Sequence, residues 1–140
     1  PDGVLNVVQG EGETGAYLTS HPDVAKISFT GSVPTGSKIM KSAADGIRNI
    51  TLELGGKSPL VIFDDANLKN AVKGAMMANF FTQGQVCSNA ARVFVQRGIY
   101  LEFLKAFVSQ AKRMKIGDPF HDDTTVGATI SEDHAQKVSS

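Results

Sequence analysis

Short runs rich in β-branched and aromatic residues alternate along this chain with longer segments whose apolar residues recur at helical spacing, and glycine or proline marks most of the junctions. Val4-Leu5-Asn6-Val7-Val8, Ala25-Lys26-Ile27-Ser28-Phe29, Asn49 to Leu54, Leu60 to Phe63 and Arg92 to Gln96 read as strands. Helices are predicted from Thr14 to Ser20, from Pro34 to a stop at Asp45-Gly46, from an Asp64-Asp65 cap through Phe80, and from Ile99 to Met114. Leu68, Ala71, Val72, Ala75, Met76 and Phe80 lie at the spacing of a core-facing helix. Leu101, Leu104, Phe107, Val108 and Ala111 are expected to form the core face of the last one. The apolar run Leu60-Val61-Ile62-Phe63 predicts a strand buried on both faces. Beyond Gly117-Asp118-Pro119 the chain reads as loop until a helix begins at Glu132. Strands alternating with helices predict an α/β fold with a largely parallel sheet, and Gly55-Gly56 is the expected domain boundary.

Composition narrows the function classes. Among 140 residues, 14 Lys and Arg offset 14 Asp and Glu, and the charges are dispersed. Neither a basic stripe nor an acidic tail is present, which argues against a nucleic-acid partner. One cysteine cannot make an internal disulfide, a composition that fits a reducing, cytoplasmic setting. No apolar run reaches about 18 residues, so a soluble chain with no membrane partner is expected. The chain opens on the turn-like Pro1-Asp2-Gly3 and closes on a helix barely begun, and it is expected to be an internal piece of a longer protein.

Three places hold candidate chemistry. Cys87 follows Phe80-Phe81-Thr82-Gln83-Gly84-Gln85-Val86, just past a helical pattern, where Gly84 lets the backbone turn sharply. A lone cysteine on such a turn is a candidate nucleophile, and a small buried hydrophobe is the bland alternative. Glu53, beside Gly55-Gly56 at a strand end, is a candidate general base or an exposed edge charge. Gly31, between a strand and a helix start, suits an anionic phosphate. It matches neither common motif: Ser37 intervenes between Gly36 and Lys38 where a P-loop needs lysine, and G-x-G-x-x-G is absent. His21, His121 and His134 are scattered in turns without metal-ligand spacing and are expected to face solvent.

Taken together, Glu53-Leu54-Gly55-Gly56-Lys57-Ser58-Pro59 and Gly84-Gln85-Val86-Cys87 resemble the paired active-site signature of the aldehyde dehydrogenase superfamily, with matching separation. Phe29-Thr30-Gly31-Ser32, followed by Gly36, resembles that family's cofactor-binding turn, and Gly117-Asp118-Pro119 another of its landmarks. The wording is closest to the betaine aldehyde branch, through Pro1 to Val8, His21 to Lys26, Met77 to Phe81, Gly84 to Asn89 and Arg92 to Val95. The trimethylaminobutyraldehyde and aminoaldehyde branches share much of it.

The resemblance implies a fragment of the aldehyde dehydrogenase fold. Residues 1–55 would be the C-terminal part of an NAD(P)-binding domain with a Rossmann-like parallel sheet, and 56–140 the start of the α/β catalytic domain. It implies oxidation of a small aldehyde, betaine aldehyde to glycine betaine in the first instance, with Cys87 as nucleophile and Glu53 as general base. Gly31, Ser32, Val33 and Pro34 would contact the cofactor pyrophosphate and Gly55 would lie near the nicotinamide, while Thr30 and Gly10 would shape the pocket. NAD and NADP both stay open. A potassium ion on the backbone carbonyl of Ile47, and a homo-oligomer (dimer or tetramer) at full length, also follow from the resemblance. The asparagine that completes the family's oxyanion site would lie upstream of Pro1, so an isolated 140-residue piece is expected to be inactive. A truncated, non-catalytic nucleotide-binding remnant is the alternative outside enzymology. Phe80 and Phe81 are either core packing or aromatic faces for a quaternary ammonium group.

Overall fold

The computed structural model describes all residues from 1 to 140, which form two compact units, Pro1–Gly55 and Gly56–Ser140. Both are built from parallel strand pairs joined through helices, so the α/β expectation holds.

In the first unit, α1 (Gly12–Ser20) precedes β1 (Lys26–Gly31), α2 (Val33–Ala44) and β2 (Asn49–Leu54). β1 and β2 pair in parallel, with Ile27 opposite Ile50, Phe29 opposite Leu52 and Thr30 opposite Glu53. Period-two alternation turns Ile50, Leu52 and Leu54 to one face of β2 and leaves Thr51 and Glu53 exposed on the other. The apolar face packs on α2, where Ile39 and Ala43 join Ile27 in a buried core. Each large side chain so buried contributes roughly 1.5–3 kcal/mol. Gly36 is required by close approach, because a Cβ there would stand 2.8 Å from Leu54 Cδ2. Arg48 ties the ends of α1 and α2 together, donating to the His21 carbonyl at 3.1 Å and the Ser42 carbonyl at 2.7 Å.

The strand expected over Val4 to Val8 does not form; Val4 and Leu5 lie in a bend, and the run is exposed. β1 takes β2 as its ladder partner, and without a partner of its own a single run makes no strand. α2 stops at Asp45-Gly46 as expected. Ile47 donates to the Ala44 carbonyl (3.1 Å) and Arg48 to the Ala43 carbonyl (3.0 Å), a Schellman closure with Ile47, not Gly46, in the left-handed position at φ 50°.

In the second unit, β3 (Pro59–Ile62) and β4 (Arg92–Val95) pair in parallel. The connection runs through α3 (Leu68–Phe80) and a one-turn 3-10 segment (Phe81–Gly84). α4 (Tyr100–Ala111) follows β4, and α5 (Glu132–Ser139) comes last. Ile62, Val72, Ala75 and Phe103 form the buried core, with Val93, Val95 and Phe107 packed against it. β3 is not buried on both faces. α3 and α4 supply the apolar side chains that cover Ile62, whereas Val61 and Phe63 remain 54% and 62% exposed.

Two local expectations are corrected here. Asp64 does not cap α3, since Gln96 holds it through bonds of 3.0 and 2.8 Å; Asn67 Oδ1 caps instead, accepting from the Asn70 N–H at 3.0 Å. On α4 the buried residue is Phe103, stacked on Phe107 at 5.7 Å, while Leu101 is 76% exposed. The tail forms the helix expected from Glu132, α5, with Ser131 Oγ accepting from the His134 N–H (3.2 Å). His21 and His121 are exposed and His134 is half-buried. No helix is long and apolar enough to cross a membrane.

Ile47 is 94% exposed, so it gains nothing from packing while paying the left-handed penalty of a β-branched residue. Ile47→Gly is expected to raise stability by about 1 kcal/mol, read as a higher urea midpoint with an unchanged slope.

Candidate active site

Cys87 owes its position to the way α3 ends. The helix closes at Phe80, whose ring stacks on Phe107 with centroids 5.9 Å apart. Thr82 (φ 50°, ψ 47°), Gln83 (φ 54°, ψ 24°) and Gly84 (φ 77°) are then all left-handed in succession. Only the glycine adopts that region without penalty, and such strain collects at functional sites. Gly84 is doubly constrained, since a Cβ there would lie 2.9 Å from the Asn79 carbonyl oxygen. The Gln85 N–H closes the turn on the Thr82 carbonyl at 2.9 Å. Downstream, Asn89 donates to the Val86 carbonyl (3.1 Å), and buried Ala90 donates back to the Ala78 carbonyl of α3 (3.0 Å). Between these anchors Cys87 is exposed, with a free thiol and a backbone N–H that no backbone carbonyl takes up. Within this chain, then, Cys87 is not packed as a buried hydrophobe.

In the first unit the turn from β1 into α2 gathers most of the other expected residues. Thr30 stands opposite Glu53 and Gly31 opposite Leu54, and the Gly55 N–H donates to the Gly31 carbonyl at 3.3 Å. Glu53 is exposed at the end of β2. The Phe29 ring folds over Gly31 so closely that a Cβ would meet Cζ at 2.5 Å. Ser32 caps α2, its Oγ accepting from the Thr35 N–H at 3.3 Å, and its carbonyl takes the Gly36 N–H at 2.9 Å. Pro34 has no N–H to offer. The first turn of α2 therefore leaves the N–H groups of Ser32 and Val33 for an anion, at the positive end of the helix dipole.

A cavity of about 610 Å3 runs from this helix start between α1 and α2. Gly12, Gly15 and Ala16 line it on α1, and Thr35, Lys38 and Ile39 on α2, with Phe29 beside them. Sequence reasoning missed this wall, although Gly12, Gly15, Ala16 and Thr19 recur at helical spacing and mark a face of small side chains. Gly10 sits ahead of α1 against Thr14, where a Cβ would overlap the Thr14 hydroxyl. Ile47 stands apart from the turn at the far end of α2, and no three His, Cys, Asp or Glu side chains converge as metal ligands. A cavity of about 700 Å3 between α3 and α4 touches none of these residues.

Replacing Gly84 with Ala tests whether the turn is built as described. Forcing a Cβ into a left-handed, blocked position is expected to cost roughly 1–3 kcal/mol, measured as a lowered unfolding midpoint.

Comparison with known proteins agrees with the geometry. The model of the aldehyde dehydrogenase family matches residues 1–140. The chain is 62% identical over 138 residues to 4-trimethylaminobutyraldehyde dehydrogenase of Rattus norvegicus, covering 99% of this chain and 28% of that protein. The Homo sapiens counterpart is 59% identical over the same share. Among solved structures, a double mutant of betaine aldehyde dehydrogenase from Staphylococcus aureus in complex with NAD+ superposes with a TM-score of 0.94. It is 42% identical, over 99% of this chain and 28% of that one. An aldehyde dehydrogenase from Brucella melitensis biovar abortus 2308 gives a TM-score of 0.93 at 41% identity, over 99% and 29%. The chain thus spans just over a quarter of the length of the proteins it matches. The match of the family model along residues 1–140 places this chain in the aldehyde dehydrogenase family.

Proposed function

We propose that these residues belong to an enzyme that oxidises a small aldehyde to its carboxylic acid with NAD or NADP, with Cys87 as nucleophile and Glu53 as general base. The observation that carries the reading is Cys87, free and exposed on a strained turn, within a chain that matches the family throughout. On this reading Pro1–Gly55 is the end of the NAD(P)-binding domain and Gly56–Ser140 the start of the catalytic domain.

The Cys87 thiolate attacks the aldehyde carbon and forms a thiohemiacetal, placing negative charge on the former carbonyl oxygen. The Cys87 N–H, with no backbone acceptor, is the donor this chain offers to that oxygen. A bound nicotinamide supplies the acceptor for the hydride that leaves the same carbon. Cys87 is then left as a thioester. Glu53 takes a proton from water, the hydroxide adds to the thioester carbon, and the thiolate departs to release the acid. Splitting oxidation from hydrolysis keeps each barrier low.

The first unit fits the cofactor. The Ser32 and Val33 N–H groups suit the pyrophosphate, with Gly31 and Pro34 flanking them at the helix start, and the small-residue cavity between α1 and α2 suits adenosine. Gly55 would lie near the nicotinamide, with Thr30 and Gly10 shaping the pocket wall. A single exposed carbonyl at Ile47 does not make a cation site, so no step is assigned to potassium. A cytoplasmic homo-oligomer belongs to the same reading.

For substrate we infer an aldehyde carrying a trimethylammonium group. Betaine aldehyde is the first reading, supported by the Staphylococcus aureus structure, and 4-trimethylaminobutyraldehyde the second, supported by the 62% identical relative. Phe80 is taken up by Phe107, whereas Phe81 is 60% exposed and offers a ring face to a quaternary ammonium.

Two experiments on the natural gene product test this reading. Cys87→Ala is expected to abolish NADH formation from both aldehydes, a fall of at least roughly a thousandfold, and retained turnover would overturn it. Glu53→Gln is expected to keep an initial burst of NADH and lose steady turnover, because hydride transfer precedes hydrolysis. Separately, Gly15→Val should narrow the cavity between α1 and α2 and weaken NAD binding by about tenfold, measured by calorimetry without substrate.

A further inference from the structure

The left-handed turn before Cys87 needs something to hold it, and two side chains within the turn reach the same distant segment. Gln85 Oε1 accepts from the N–H of Ile130 at 3.3 Å, across 45 residues of sequence. Gln83, with its amide oxygen toward Gly127, accepts from the Gly127 N–H at 3.2 Å and donates to the Thr82 carbonyl at 3.3 Å. Both glutamines are half-buried. Gly127 brings its backbone against the Gln83 amide, where a Cβ would stand 3.5 Å from the amide oxygen in this orientation.

The segment they grip is itself tied back at its start. On one side Val126 pairs with Ile116 in a parallel bridge, donating to the Lys115 carbonyl at 3.0 Å and accepting from the Gly117 N–H at 3.1 Å. On the other, Ser131 caps α5. Residues 127–130 therefore form a platform tied through Val126 to Ile116, alongside a turn whose left-handed backbone is strained.

We propose that Gln83 and Gln85 are positioning residues that clamp the nucleophile turn to the platform 127–130 and so hold Cys87 in its reactive place. The proposal rests on the reading of Cys87 as nucleophile. The two glutamines are not equivalent. Gln85 acts only as an acceptor, so a carboxylate can replace its amide, whereas Gln83 both accepts and donates.

The test uses the natural gene product, with hydrogen exchange of amides 82–87 and steady-state kinetics measured on the same variants. Gln85→Met removes the acceptor at similar length. It is expected to speed exchange in 82–87 and to lower kcat, each about tenfold, with KM for NAD unchanged. Gln85→Glu keeps the acceptor and is expected to retain slow exchange. Ile130→Pro removes the donor from the other side and should reproduce Gln85→Met, which provides a second route should that variant fold poorly. Unchanged exchange in both Gln85→Met and Ile130→Pro overturns the clamp. Faster exchange with full kcat overturns its role in positioning. Gln85→Glu behaving as Gln85→Met overturns the acceptor assignment. Activity surviving in Cys87→Ala would instead sink the nucleophile reading, leaving the exchange result to be judged separately.

Discussion

The stack of Phe80 on Phe107, and of Phe107 on Phe103, is the contact on which the cysteine turn depends, because it fixes where α3 stops. A helix end usually frays over its last turn, and anything hung from it inherits that motion. Here the final residue of α3 is pinned by an aromatic ring that is itself packed against the buried core. From that fixed point the chain is driven through three left-handed residues and caught again when Ala90 bonds back to Ala78. The strain is sustained because hydrogen bonds and packing determine the turn from both ends. An exposed thiol on a rigid mount is the outcome.

The first unit solves a different problem by accounting for donors. A helix start has several N–H groups without helical partners. In α2 the Ser32 side chain takes the Thr35 N–H and Pro34 brings none, leaving those of Ser32 and Val33. Glycine at 31 and 36 serves packing as much as flexibility, since Phe29 and Leu54 occupy the space that side chains would need. This explains why the turn matches neither the P-loop nor the dinucleotide fingerprint. It meets the same physical demand with a capped, proline-bearing helix and a wall of small residues on α1.

Much of the architecture was legible in the residue pattern because the strands and helices are strongly periodic. β2 was placed with its true bounds, and β1, β3, β4, α2 and α3 within a residue or two. The misreadings have a common cause, which is competition for a group by a partner far away in sequence. Asp64 looked like a cap until Gln96 claimed it. Phe103 was left off the core face of α4 because Leu101, Leu104 and Val108 made an equally good stripe, and the aromatic stack chose between them. Val4 to Val8 have strand composition but no ladder partner.

By itself the sequence determined the fold class, the family resemblance and the residues that could carry chemistry, since Glu53, Gly31 and Cys87 sit in short motifs whose meaning lies in their local order. Tertiary structure decided that Cys87 is exposed and not buried, and that its turn is left-handed through Thr82 and Gln83. It also decided that a cavity opens between α1 and α2. Those outcomes depend on contacts across tens of residues, and one-dimensional periodicity carries no record of which distant group will win a shared hydrogen bond or a shared space.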